Sequence, residues 1–198
     1  MKRLLLASAL LVLVAGPGNA ASIFSEDFEA DAYGLSAGLL NWSVTSGSID
    51  VIGGPFYGFY GPGKYLDMNG STSEGGRIES NTMRFNVGQR YRLSFDYGNN
   101  QYSNGNEVLS FGAGGASGSI AINGFLPNLM RHSFTFTATA NMSSVFFADT
   151  GVTGGDNGGP ILDNIDISAV PLPAAAPLLI GALGGLAAIR RRRTEKVL

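Results

Sequence analysis

"RYRLSFDYG" at Arg90–Gly98 alternates without a break: Tyr91, Leu93, Phe95 and Tyr97 fall on one side, Arg90, Arg92, Ser94 and Asp96 on the other. That twofold period is the mark of a half-buried β-strand, whose successive side chains point to opposite faces of a sheet. "RHSFTFTATA" repeats the arrangement, with Phe134, Phe136 and Ala138 inward and Ser133, Thr135, Thr137 and Thr139 outward. Shorter strands are predicted at 22–28, 42–44, 48–52, 65–68, 76–80, 83–86, 108–111, 119–122, 144–148 and 161–167. Turn signals such as Gly53-Gly54-Pro55, Asn69-Gly70 and Gly158-Gly159-Pro160 separate them. No long stretch between residues 21 and 169 has a helical period, so the predicted fold class is all-β, a sandwich or a barrel.

The chain has 198 residues and no cysteine. A domain of about 150 residues buries enough apolar surface to stand without disulfides. Stability therefore has to come from the core, with a bound cation as a conceivable addition.

Both ends read as targeting segments. Lys2 and Arg3 precede an apolar run from Leu4 to Ala15, and Gly18-Asn19-Ala20 supplies the small residues that a signal peptidase reads. Residues 1–20 are expected to be a signal peptide, forming a signal helix and cut between Ala20 and Ala21. At the other end, "VPLPAAAPLLIGALGGLAAIRRRR" carries a proline motif (Val170, Pro171, Leu172, Pro173, Ala174), an apolar span 175–189 and a basic tail 190–198 that opens with Arg190, Arg191, Arg192 and Arg193. It lacks the polar face of a soluble core helix. A helix from Ala174 to Ile189 has a length of about 24 Å, short of the roughly 30 Å of a hydrocarbon core. The arginines would hold its end on the cytoplasmic side. The expectation is an N-terminal signal helix, an ectodomain over 21–169 and a C-terminal transmembrane helix within 170–198.

Setting the ends aside changes the charge. Residues 21–169 hold six basic and fourteen acidic side chains, a net charge of −8. Such a surface repels phosphate, which excludes a nucleic-acid partner.

Candidate sites are few. His132, the single histidine, shares a face with phenylalanines and lacks the company a triad or zinc site needs, so it reads as a packed residue. "GGPFYGFYGPGKYLD" crowds Phe56, Tyr57, Phe59 and Tyr60 among glycines and prolines. These rings either stack on sugar rings or fold down as a satellite of the core. Tyr57, Phe59, Tyr60 and Trp42 are the candidate glycan-stacking residues, with Tyr102 a lesser one. Acids cluster at the two ends of the domain: Glu26, Asp27, Glu29 and Asp31 in "FSEDFEAD", Asp163 and Asp166 in "ILDNIDI". Alternation puts Asp163 on one side with Ile161, Ile165 and Ile167. A carboxylate there needs a hard cation such as calcium or a set of turn amides. Paired carboxylates also leave a glycoside-active enzyme open as an alternative.

The tail resembles the VPLPA-type variant of the PEP-CTERM sorting signal of Gram-negative bacteria. The resemblance implies export across the inner membrane, transient membrane anchoring, processing by an exosortase-type transpeptidase, and association with exopolysaccharide and biofilm. The phrases "NWSV", "KYLDMNG", "RYRLSFDYGNN" and "GGPILDNIDIS" resemble jelly-roll modules, among them galactose-binding-like and carbohydrate-binding modules. That resemblance implies a jelly-roll-type β-sandwich and one structural calcium held by Glu29 and Asp163, with Asp27 as an alternative to Glu29. The protein is then expected to be a non-enzymatic, glycan-binding or exopolysaccharide-associated protein of the cell surface or matrix. A purely structural matrix protein with no ligand is the remaining alternative. Mass spectrometry of the protein isolated from its native host is expected to find a chain starting at Ala21 and lacking Leu198; an intact C-terminus would overturn the sorting assignment.

Overall fold

A computed structural model describes residues 20–103, 105–151, 157–171 and 181–186. Strands appear wherever apolar positions alternate, and they run in chain order as β1 (Ser22–Glu26), β2 (Trp42–Ser46), β3 (Asp50–Gly53), β4 (Lys64–Asp67), β5 (Arg77–Ser80) and β6 (Met83–Arg84). There follow β7 (Arg90–Asn99), β8 (Asn106–Ala113), β9 (Ala116–Asn123), β10 (Met130–Thr137), β11 (Met142–Ser143), β12 (Phe146–Asp149) and β13 (Pro160–Ala169). Two antiparallel sheets result. Sheet one has the order β10-β7-β13-β4-β3, with β1 added beside β13, and sheet two has the order β2-β5-β12-β8-β9. A short β6–β11 ladder stands apart from both.

The inner faces meet in one core. Leu93, Phe95 and Ile167 from sheet one face Leu109, Phe111 and Phe147 from sheet two, all buried. Phe95 lies 5.0 Å from the rings of both Phe111 and Phe147, edge to face. The alternation predicted for β7 holds in the core: Tyr91, Leu93 and Phe95 are buried while Arg90 and Arg92 are exposed.

Strand β13 carries the main departure from simple alternation. Its first half pairs with β4 and its second half with β1, while β7 runs along its whole length. Between Asp163 and Asp166 the register with β7 shifts by one residue. The extra residue is accommodated at Asn164, whose φ of 48° is a left-handed value that asparagine tolerates better than most residues. The bulge reverses which side points inward. Leu162, Ile165 and Ile167 join the main core, whereas Ile161 packs on the opposite face with Ile52 and Tyr65. Asp163 therefore does not share a face with Ile165 and Ile167, as strict alternation had it; it lies on the outer side.

Residues 20–170 form one compact unit. Within the tail, residues 181–186 are helical; among the described residues no helix is long and apolar enough to cross a membrane. The signal segment, most of the sorting motif (Leu172, Pro173, Ala174) and Arg190 to Arg193 lie outside the described residues. Ala20 and Ala21 are exposed at the start of the compact unit.

Truncating the central ring tests the core. Phe95→Ala leaves Phe111 and Phe147 without their facing partner and is expected to cost about 3–5 kcal/mol of stability in chemical denaturation.

A candidate binding pocket under an aromatic loop

The outer face of sheet one would be open to water at the β3–β4 end if the chain between these strands did not fold back over it. Ile52, Tyr65 and Ile161 form the buried centre of this second cluster, with Phe56, Phe59, Tyr60 and Leu129 packed on them. The loop is pinned by polar contacts. The backbone N–H groups of Phe59 and Tyr60 donate to the Tyr65 hydroxyl at 2.6 and 3.0 Å. The Tyr60 hydroxyl accepts the Asn99 N–H at 3.1 Å and lies 2.8 Å from the carbonyl oxygens of Asn99 and Leu126, to either of which it can donate. Glycine at position 98 is what lets the Tyr60 ring settle on β7: a Cβ there would come within 2.7 Å of the Tyr60 hydroxyl oxygen.

The predicted stacking residues thus divide. Phe59 and Tyr60 are packing residues of the satellite cluster, although one side of Phe59 still reaches the surface of a pocket. Tyr57 is different: its φ is 55° and its ring is 63% exposed. Trp42 is a correction. It is 5% exposed, wedged between Phe24, Phe28 and Phe147 at 5.7, 6.4 and 6.0 Å, and presents no face to a ligand. Its strand turns it inward, where a large apolar ring buries the most surface.

At the free edge of the loop is a pocket of about 250 Å³. Tyr57, Phe59, Tyr102, Leu35 and Ile52 supply apolar walls, and Asp50, Asp67, Ser71, Asn100 and Asn157 supply polar groups. Tyr102, on the turn after β7, is 66% exposed. Asp50 and Asp67 are register partners across β3 and β4, so their side chains stand next to each other on the outer face. Both are buried, at 5% and 1% exposure. Asp50 accepts the N–H groups of Ser36 and Ser71 at 2.7 and 3.1 Å and the Ser71 hydroxyl at 2.9 Å. Asp67 accepts the N–H groups of Asn69 and Gly159 at 3.0 Å each, and the Asn100 side-chain amide. Burial raises the Asp67 pKa well above the ordinary carboxylate value, and the charge of Asp50 adds to the effect. The sequence reading missed Asp50, Asp67 and Asn100. Their one signal was an acid inside each of two otherwise apolar strands, "SIDVI" and "KYLDM"; that the two stand side by side depends on register.

The residues expected to hold calcium occupy another part of sheet one. Asp163 feels the charges of Asp96, Glu29 and Asp27, and burial is the largest cause raising its pKa to about 7. Each of the predicted ligands is engaged locally. Glu29 accepts the Lys64 N–H at 2.7 Å, Asp27 accepts the Glu29 N–H at 3.2 Å, and Asp163 accepts the Asn164 N–H at 2.7 Å. The Lys64 ammonium donates to the carbonyls of Glu29 and Asp31 at 2.7 Å each, so a built-in cation already ties down this loop. Among the described residues, no three acidic, histidine or cysteine side chains come together as a metal-ligating group. The neighbouring groove, of about 430 Å³, is lined by Asp27, Asp96, Arg131 and Asp166. Arg131 pairs with Asp96 at 3.0 Å and bonds the Asn164 carbonyl at 2.7 Å, which braces the bulge of β13. His132 packs against the rings of Phe95 and Phe111 at 5.3 Å each, and burial lowers its pKa, in keeping with a packed residue.

No protein-family model matches the sequence, and no curated protein matches it closely. Solved structures do share the architecture. An arabinose-bound α-L-arabinofuranosidase aligns with a TM-score of 0.54 at 17% identity, over 72% of this chain and 25% of the enzyme. A xylan-binding domain from Paenibacillus barcinonensis aligns with a TM-score of 0.50 at 13% identity, over 80% of this chain and 100% of the domain. The tandem domain from the same protein gives a TM-score of 0.50 at 14% identity, over 81% of this chain and 48% of the tandem. The chain shares their fold. It is a jelly-roll β-sandwich of the kind found in carbohydrate-binding modules, and it spans only a quarter of the arabinofuranosidase it matches.

Asp163 gives a pH test of the acidic region. Its folded pKa lies near 7 against 3.8 for an ordinary aspartate, so between these values the folded state holds a proton that the unfolded chain has released. The resulting stabilisation is complete below 3.8 and is lost as pH rises through about 7. Asp163→Asn is therefore expected to raise Tm at pH 8 while changing it little at pH 4, as followed by circular dichroism.

Proposed function

We propose that this chain is a non-enzymatic glycan-binding protein of the cell surface or extracellular matrix, taking its ligand in the pocket beside Tyr57 and Tyr102. The observation that carries the reading is that pocket. Two exposed tyrosine rings flank a floor of buried, hydrogen-bonded carboxylates and amides. A sugar presents the matching surfaces, an apolar C–H face for a ring to lie on and hydroxyls for fixed polar groups. The fold shared with a xylan-binding domain supports the same reading.

Delivery to that location is proposed from the sequence. The basic start and small-residue exit of residues 1–20, with the VPLPA-type motif, apolar span and arginines of residues 170–198, support export across the inner membrane and handling by an exosortase-type enzyme. Exopolysaccharide is then the natural partner. The hydrogen-bonding of the acidic groove favours a binding protein over a glycoside-active enzyme. Asp96 is committed to Arg131 and Asn164, and Asp166 accepts the Ser22 hydroxyl at 2.5 Å, so these carboxylates serve the bulge and the β1–β13 edge.

A glycan array probed with the full-length chain tests the proposal, with xylan and bacterial exopolysaccharides included. Binding is expected, and Tyr57→Ala or Tyr102→Ala is expected to weaken it about tenfold, the equivalent of roughly 1.4 kcal/mol. An array without hits would overturn glycan binding and leave a scaffold role.

A further inference from the structure

Asp50 and Asp67 are an expensive pair to keep. Like charges directly opposite on neighbouring strands oppose folding, and burial of carboxylates adds desolvation. Among the described residues, no lysine or arginine lines the pocket to offset them. Hydrogen bonds from the protein recover only part of the loss. Each carboxylate receives three donors, whereas an ionised carboxylate offers about four acceptor positions. Each therefore keeps acceptor capacity beyond its bonds to the protein.

A ligand suited to this floor brings hydroxyl donors and no negative charge. A uronate or sulfate ester would set a further anion beside two buried acids, in surroundings where charge is poorly screened. Size adds a second restriction. The pocket, at about 250 Å³, falls below the roughly 300–1,000 Å³ typical of sites for drug-sized ligands. Phe59, held in the packed loop, forms part of its wall. A volume of that size suits one sugar ring better than a chain of several.

Resting on the glycan-binding reading above, we propose that the pocket recognises a single uncharged sugar unit, donating neighbouring hydroxyls to Asp50 and Asp67 while Tyr57 or Tyr102 covers its apolar face. Acidic sugars are rejected because they would set a further anion beside Asp50, whose charge already disfavours ionisation of Asp67. Specificity then comes as much from what the floor repels as from what it binds.

The test is a calorimetric panel on the full-length chain in the presence of a chelator. The probes are the methyl glycosides of xylose, glucose and galactose, the matching glucuronoside and galacturonoside, and xylotriose. At least one neutral glycoside is expected to bind, with its uronate at least about tenfold weaker and xylotriose gaining less than about threefold over methyl xyloside. Asp50→Asn is expected to narrow the gap between neutral and acidic sugars. Tyr102→Ala and Tyr57→Ala, on exposed rings whose loss leaves the core intact, are each expected to weaken the binding of that glycoside about tenfold. Uronates that bind as well as neutral sugars, or affinity that climbs with chain length, would overturn this inference while leaving glycan binding in place. Binding left unchanged by both Tyr57→Ala and Tyr102→Ala would overturn the assignment to this pocket, as would sugar binding that requires added calcium. Failure of every sugar would overturn the glycan reading itself.

Discussion

The two sheets are held together by rings meeting edge to face across the core, with Phe95 between Phe111 and Phe147. A chain without cysteine has no covalent staple to fall back on, so burial of apolar surface has to outweigh the ordering of the whole sandwich. That requirement explains why the inner positions of β7, β8 and β12 carry such large side chains. It also explains why Trp42 was drawn into the core rather than left for a ligand.

Once the inner faces are committed to each other, anything that recognises a partner has to be built outside them. The aromatic loop after β3 lies on the outer face of sheet one. Most of its rings serve to hold the loop down: Phe56, Phe59 and Tyr60 pack over Ile52, Tyr65 and Ile161. The anchoring leaves Tyr57 outside and brings it, with Tyr102, to the rim of a pocket whose floor is the Asp50–Asp67 pair. The sheet beneath and the pinned loop above hold these polar groups in place.

The acids near the ends of the domain illustrate another division of labour. Glu29, Asp27 and Asp163 do lie within electrostatic reach of one another, as the raised Asp163 pKa shows. Their hydrogen bonds, however, serve turns and the β13 bulge, and Lys64 contributes the positive charge that the strand-exit loop needs. The Lys64 ammonium and a network around Arg131 brace the region for which the sequence suggests calcium.

Strands with clean alternation could be read from the residues alone, because a period of two has only one physical source. β7 and β10 are legible in this way, as is the all-β class, and the net charge between residues 21 and 169 follows from counting. The aromatic loop was legible as a candidate, but which of its rings face water was not. That depended on Gly98 making room for Tyr60 and on the left-handed backbone at Tyr57. The side of β13 on which Asp163 falls was decided by one extra residue at Asn164, and a bulge shifts parity without altering composition. Local sequence determined which segments extend and which residues are apolar, since these follow from steric and solvation preferences of each residue. Tertiary structure alone decided that Asp50 meets Asp67 beneath Tyr57 and Tyr102, because register and loop closure are set by packing between segments far apart in the chain.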